Sequence, residues 1–530
     1  MARNVNTARH TALVAAGIFL SRIAGLVRQR VFAHYFGQSD PGDAFNAAFK
    51  IPNLLQNLFG EGVLSASFIP VYSSLLARGM ETEARRVAGV VASLLALVTT
   101  VVVAAGVFAT PYLVDWIAPG FEAEKRALTI VLVRIIFPGT GLLVLSAWCL
   151  GILNSHRRFF LSYTAPVLWS AVMIAAMAWY GASVELPQLA VVLAWASVAG
   201  SAMQLAIQLP FVWRHTRGMR PSLSMDSPDA ASVVRNFVPV FVGRGVVQIS
   251  SYIDSILASF LPTGAVTALA NAQTLYTLPV SLFGMAVSAA ELPAMSSMVG
   301  EKHEVAQYLR GRLSTGLVRI AFFIIPSAVA FAAFGDLIAA AFYQTGRFGR
   351  GDALWVWGTL AGSSVGLLAV TFARLYASAF YALRDTRTPL RYAIVHVVVA
   401  TALGYAFALP LPAALGLDAR WGTAGLTLSA GLAGWAELVL LRRALAARIG
   451  ETGLATPVAL RLWWAALVGT ALGSATRVLL PDGLHPALAA LIVLAPYAAG
   501  YLAVTWASGV AEARTLITTL LRRARLARPA

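Results

Sequence analysis

Two arginines set the chemical question. Arg22 and Arg28 fall inside the first long apolar stretch, and no acid accompanies them there. An arginine at mid-bilayer depth costs about 2.5–3.5 kcal/mol on insertion scales, so such a group must face protein, water or a ligand. A guanidinium holds phosphate oxygens through paired hydrogen bonds. Two arginines without a local counter-ion therefore point to an anionic ligand. In the second stretch, Asp43, Asn46, Lys50, Asn53, Asn57 and Glu61 are spaced 3, 4, 3, 4 and 4. At about 100° per residue that is one face of one helix. Its other faces are Ala, Phe, Leu, Ile and Val, so the stripe is expected to turn from lipid toward a wet cavity.

Two later stretches carry further stripes. Arg244, Gln248, Ser251, Ser255 and Ser259 are spaced 4, 3, 4 and 4, and Asn271, Thr274, Ser281 and Ser288 form a stripe without charge. The four stretches, one with the two arginines and three with stripes, are expected to line one cavity, basic on the first-half side and neutral-polar on the second. The candidate ligand contacts are Arg22, Arg28, Asp43, Lys50, Asn53, Glu61, Arg244, Gln248 and Thr274. Asp254 is a candidate for binding a coupling cation or proton; the alternative is a salt bridge, for example to Arg244 or Arg374. Arg22, Lys50, Glu61, Arg244, Asp254, Glu291, Arg374 and Glu437 all fall in apolar spans, at a combined cost on the order of 20 kcal/mol if left in lipid. The alternative for these groups is mutual pairing, as of Lys50 with Asp43 or Glu61. For the uncharged stripe, the alternative is polar packing between helices.

The elements that must carry these residues follow from composition. Of 530 residues, 58% are hydrophobic and only 12% charged, with mean hydropathy +0.74. Soluble domains carry about 25% charged residues, so this is an integral membrane protein. A span needs about 20 mostly apolar residues. Fourteen candidates lie near 11–35, 42–76, 86–114, 127–153, 160–181, 187–213, 233–260, 265–297, 315–343, 353–381, 390–409, 421–446, 460–480 and 485–508. The first is read as an uncleaved helix, because Ser21-Arg22 follows its apolar core and no convincing A-x-A site appears. The formal net charge of +17 reads as basic cytoplasmic loops and contact with anionic lipid, not as nucleic-acid binding. Alternate connections hold Arg78/Arg85/Arg86, Arg157/Arg158, Arg214/Arg217/Arg220, Lys302/Arg310/Arg312, Arg384/Arg387/Arg391 and Arg442/Arg443/Arg448. Those loops, and both termini, are placed in the cytoplasm.

The chain also repeats weakly. FIPVYSSLL (68–76) pairs with ELPAMSSM (291–298), and LNSHRRF (153–159) with LRDTRTP (383–389). A parallel repeat of two six-helix halves is typical of transporters with a site at their interface. The expected organisation is an N-lobe over 1–213, a cytoplasmic linker over 214–232, a C-lobe over 233–447, two appended helices over 448–510 and a basic tail over 511–530. Enzyme signals are few. Cys149 is the only cysteine, and no P-loop, HExxH or GxSxG in a nucleophile context occurs, so neither a cofactor nor a metal is expected.

The motifs SRIAGLVRQRVFAHYFG (21–37), GDAFNAAFKIPNLLQNLFGEGVLSASFIPVY (42–72), ILNSHRRFFLSYTAPVLW (152–169), QLAIQLP (204–210), QISSYIDSILASFL (248–261), YQTGRFGRGDA (343–353) and YALRDTRTP (381–389) resemble the MurJ (MviN) lipid II flippases over nearly the whole chain. The resemblance implies an all-α fold of the multidrug/oligosaccharidyl-lipid/polysaccharide exporter type, with fourteen helices in two six-helix lobes and two extra helices grooved for the lipid tail. It implies movement of undecaprenyl-pyrophosphate-linked peptidoglycan precursor, lipid II, across the bacterial plasma membrane by alternating access, with cell-wall synthesis and division proteins as further partners. Its helix 1 arginines fall on Arg22 and Arg28, and its helix 2 acids on Asp43 and Glu61. The chain departs from the family at Gln29, Gln56 and Asn57, where relatives often carry charge. It departs again at Ala272-Gln273-Thr274, where they often carry Ala-Asp-Arg. The last departure puts direct carry-over of the helix 8 part of the family's pyrophosphate site in doubt, with Arg244, Lys50 or Arg374 as replacements. The rival readings are a drug or polysaccharide exporter of the same fold and a non-transporting scaffold for cell-wall enzymes.

Overall fold

A chain in hydrocarbon must satisfy its own backbone groups, and a helix does so within one segment. The computed structural model describes the backbone of residues 2–297, 301–481 and 483–526. It describes their side chains except at 2–16, 18, 61–62, 159, 238–240, 242–251, 302 and 519–526. Among the described residues every regular element is a helix; the one extended feature is an isolated bridge between Thr345 and Phe348. The chain divides into two compact units, residues 1–267 with 345–348, and residues 268–344 with 349–530.

The first unit holds α1 (Ala2–Phe36), α2 (Asp40–Phe59), α3 (Glu61–Ala77), α4 (Glu81–Ile117), α5 (Ala123–Ser155), α6 (Phe159–Tyr180), α7 (Leu186–His215) and α8 (Pro228–Ala258). Its core has two clusters. One gathers Phe59, Leu64, Phe68 and Tyr72 against α4 and α5. The other stacks Phe32 on Phe36, ring centroids 4.5 Å apart, beside Phe45. The second unit holds most of α9 (Ala265–Pro279), a π-helical segment (Val280–Met285), α10 (Ala286–Ser296), α11 (Lys302–Tyr343), α12 (Arg350–Ala382), α13 (Arg387–Ala408) and the short α14 (Pro410–Ala414). It continues with α15 (Gly422–Ile449), α16 (Thr456–Val478), α17 (Pro486–Ala507) and α18 (Ala511–Leu526).

Among the described residues, eleven helices are long and apolar enough to cross a membrane. They match, one for one, eleven of the fourteen expected spans. Of the remaining three, the stretch at 42–76 falls short because the polar stripe of α2 lowers its hydropathy, while those at 11–35 and 233–260 include side chains outside the described residues. The second stretch is also corrected in form. It is two helices, not one. Gly60 is extended (φ −87°, ψ −151°) between α2 and α3, and a Cβ there would lie 2.2 Å from the Gln56 carbonyl oxygen. Helix resumes at once, with the N–H groups of Val63 and Leu64 both donating to the Gly60 carbonyl at 3.2 Å. Glu61 therefore begins α3 and does not continue the face of α2.

In the second unit, α16 and α17 pack on α11. Pro326 has no N–H, so the Phe322 carbonyl four residues earlier loses its helical partner. The Tyr501 hydroxyl of α17 donates to that carbonyl at 2.6 Å, and Tyr497 donates to the Pro326 carbonyl at 2.6 Å. An unsatisfied carbonyl in lipid costs several kcal/mol, so this repair fixes where α17 docks. Aromatic side chains such as Phe108, Tyr112, Trp116, Trp179 and Trp213 are strongly exposed, as expected of a lipid-facing surface with interfacial belts.

Candidate functional site

Arg28 lies on α1 against α6. Its guanidinium sits over the Trp169 ring, 4.7 Å from the centroid, and Nη1 is 4.0 Å from the Met173 sulfur. Its Nε is buried and has no hydrogen-bond partner. No carboxylate pairs with it among the described residues. The platform beneath it is held firmly. Trp169 Nε1 donates to the Ser197 carbonyl at 3.1 Å, and Gly200 lets α7 come close, since a Cβ there would be 2.9 Å from the indole. A cation on an aromatic face is stabilised, yet its in-plane donors stay open to an acceptor. Arg22, two turns earlier, is exposed and forms no ion pair among the described residues.

The stripe of α2 separates into two halves. Asp43 is buried and fully engaged. Its Oδ2 accepts from Lys125 Nζ at 2.8 Å and from the Gly264 N–H at 2.7 Å, while Oδ1 accepts from the Thr267 N–H at 2.8 Å. Lys125 also reaches Asp40 at 2.9 Å. Asn46 donates to Thr267 Oγ1 at 3.2 Å. This half ties α2 to α5 and to the turn before α9. The other half is open: Asn53 and Asn57 are exposed and Lys50 is half-buried. The Lys50 carbonyl accepts from the Tyr252 hydroxyl of α8 at 2.9 Å, and the carboxylate of Asp254 acts on the Lys50 ammonium. Lys50 therefore has Asp254 as an ionic neighbour, and Asp43 belongs to Lys125. The side chains of Glu61, Arg244, Gln248 and Ser251 lie outside the described residues.

In the second unit, polar groups within the spans find partners. Thr274 is half-buried and its hydroxyl donates to the Ala270 carbonyl of its own helix at 2.9 Å. Glu291 is buried and pairs with Arg312 at 2.6 Å and Arg319 at 3.5 Å. Glu437 pairs with His396 Nδ1 at 2.8 Å. Arg374 is exposed. The pairing alternative thus accounts for Glu291 and Glu437. Lys125, Arg312 and His396 are partners that the stripes do not announce. Lys125 stands at the start of its span beside Glu124 and Arg126, and only the fold brings it to Asp43. No cluster of three or more metal-ligating side chains occurs among the described residues.

A family model described as "Lipid II flippase MurJ" matches residues 32–497. The chain belongs to the MurJ family. The Lipid II flippase MurJ of Burkholderia cenocepacia is 30% identical over 446 residues, covering 82% of this chain and 83% of that protein. The probable lipid II flippase MurJ of Rhizobium tropici is 32% identical over 465 residues, covering 85% and 83%. Among solved structures, a lipid II flippase MurJ in an inward closed conformation aligns with TM-score 0.77 at 22% identity, covering 93% of this chain and 98% of that one. An inward-facing multidrug resistance transporter of the MATE family aligns with TM-score 0.65 at 17% identity, covering 80% and 95%. The fold is thus the one MurJ shares with MATE transporters, and the chain is a multi-pass membrane transporter of the MurJ family, not an enzyme.

Proposed function

We propose that this chain is a lipid II flippase that moves the undecaprenyl-pyrophosphate-linked peptidoglycan precursor from the inner to the outer leaflet of a bacterial inner membrane. The observation that carries the reading is Arg28, a cation within the first unit that rests on Trp169 with an unpartnered Nε and, among the described residues, no carboxylate partner. Such a group is held for an anion, and the pyrophosphate of the lipid is the anion that family membership supplies. Arg22 would meet the same group from nearer the helix start. Lys50, Asn53 and Asn57 would line the route and solvate sugar and peptide. Lys50 would exchange Asp254 for substrate, which makes Asp254 the counter-charge that ligand binding releases. Thr274 leaves the α9 contribution neutral, so the first unit carries the anion clamp.

The wider picture belongs to the same proposal. Fourteen spans form two six-helix lobes over 1–213 and 233–447, joined by 214–232, with 448–510 grooved for the polyprenyl tail and a basic tail over 511–530. Both termini face the cytoplasm. The lobes alternate access, driven by membrane potential or ion binding. Cell-wall synthesis and division proteins are the further partners. The test is rescue of cells depleted of an essential lipid II flippase. Wild-type chain restores growth and lipid II exposure on the outer leaflet. Arg22→Ala and Arg28→Ala do not, and Arg28→Lys restores little because an ammonium lacks the planar fork. Rescue by a well-inserted Arg28→Ala chain would reject the reading.

A further inference from the structure

We propose that the linker between α7 and α8 builds, with the first turns of α4, a second anion site that takes a phosphate ester. A cavity of about 590 Å³ opens there, walled by Arg85 and Arg86 of α4 and by Arg217 and Arg220 of the linker, with Thr82 at its edge. The proposal stands within the first unit alone and does not depend on the transport reading.

Arginines on a surface are ordinarily a solvated face, but the walls of this pocket are held in place. The linker is pinned along α4. Gly89 lets the Arg220 carbonyl pass so closely that a Cβ would lie 2.4 Å from it. Two turns of contact follow: the Ser222 N–H donates to Ser93 Oγ at 3.1 Å, and Ser227 bonds Glu83 on its return. Met219 packs against the core of the unit. The linker therefore has a fixed path, and that path sets two arginines opposite two others. The acids nearby do not neutralise them. Glu81 reaches Arg85 only at 3.8 Å and Asp226 reaches Arg86 only at 3.8 Å. Arg217 and Arg220 form no ion pair among the described residues.

Four guanidinium groups around one concavity repel one another until an anion enters. Their planar donors fit phosphate oxygens better than a point charge does. The volume exceeds a bare phosphate and leaves room for the attached alcohol. A soluble phosphate ester and a phospholipid headgroup share that chemistry.

The test uses the full chain in phosphatidylcholine nanodiscs. Glycerol 3-phosphate is titrated calorimetrically, and retained phosphatidylglycerol is counted by native mass spectrometry when that lipid is added. Arg217→Ala/Arg220→Ala should weaken binding about tenfold or more, whereas Arg443→Ala in the second unit should not. Gly89→Ala keeps all four charges but displaces the linker, and Ser93→Ala loosens it; both should weaken binding too. Arg28→Ala should leave this binding in place, which separates it from the proposed pyrophosphate clamp. Binding of the soluble ester in neutral discs marks a soluble ligand, and retention of phosphatidylglycerol alone marks a headgroup. The proposal is overturned if neither ligand responds to the double arginine variant. It is equally overturned if Gly89→Ala and Ser93→Ala bind as wild type, since the arginines would then act as diffuse charge.

Discussion

Charges inside the spans are handled in two ways, and the clearest case of each falls in a different unit. In the second, Glu291 lies between Arg312 and Arg319, Glu437 meets His396, and Asp336 meets Arg477 at 2.6 Å. In the first, Arg28 rests on an indole face beside a thioether, with no ion pair among the described residues, and Lys50 has Asp254 as its ionic neighbour. Neutralised pairs hold helices in register. A cation kept on an aromatic platform stays available for something that arrives. The difference teaches that charge within a span is not by itself a functional sign; what faces the charge decides.

The contrast can be broken by substitution. The largest effect should come from Arg28→Ala, which removes lipid II transport while leaving the thermal stability of the purified chain near wild type. Glu291→Ala should do the reverse. It leaves two arginines facing an apolar space and should lower stability by about 2–3 kcal/mol, below the value for a fully buried pair because both arginines are partly exposed. A melting series in detergent would read this, and a Glu291→Ala chain that melts like wild type would erase the contrast. Next in size is the Lys50–Asp254 pair. If the two merely hold each other, Lys50→Met/Asp254→Asn should transport better than either single variant. The ligand reading expects the double variant to stay as poor as Lys50→Met in the same liposome assay.

The smallest effect concerns a charge outside the spans. Asp385, between α12 and α13, accepts from the Thr388 hydroxyl and N–H and from Arg448. These bonds, the Thr388 hydroxyl foremost, hold its carboxyl well below the usual carboxylate range. A depressed carboxyl contributes stability above its unfolded value of about 3.9, and that contribution fades only as pH falls through the folded value. Asp385→Asn should therefore lower the melting temperature slightly, by the same amount at about pH 8 and about pH 5. A deficit that disappears at about pH 5 would contradict the assignment.

Much of the fold is legible in the sequence because lipid imposes length and apolarity on each span. At 42–76 the stripe of α2 that draws notice first also lowers the hydropathy, so there one signal hides the other. The break at Gly60 is not legible from periodicity, since the spacing from Asn57 to Glu61 continues the helical interval across it. Only the extended backbone and the nearness of the Gln56 carbonyl reveal it. The site is half legible. Arg28 stands out for want of a local acid, and among the described residues no acid pairs with it. Asp43 looks like its neighbours on the stripe, yet its partners are Lys125, Gly264 and Thr267. No local pattern connects residues that far apart in the chain; the turn of α5 against α2 does.

The proline in α11 has a mechanical consequence. Because Tyr501 replaces the N–H that Pro326 lacks, α17 is keyed to α11 at one depth. A slip by one helical turn, about 5.4 Å, would break at least one of the two tyrosine bonds to the Phe322 and Pro326 carbonyls. Tyr497 and Tyr501, spaced one turn apart like the carbonyls they meet, act as two teeth of a comb that keeps α17 in step with α11.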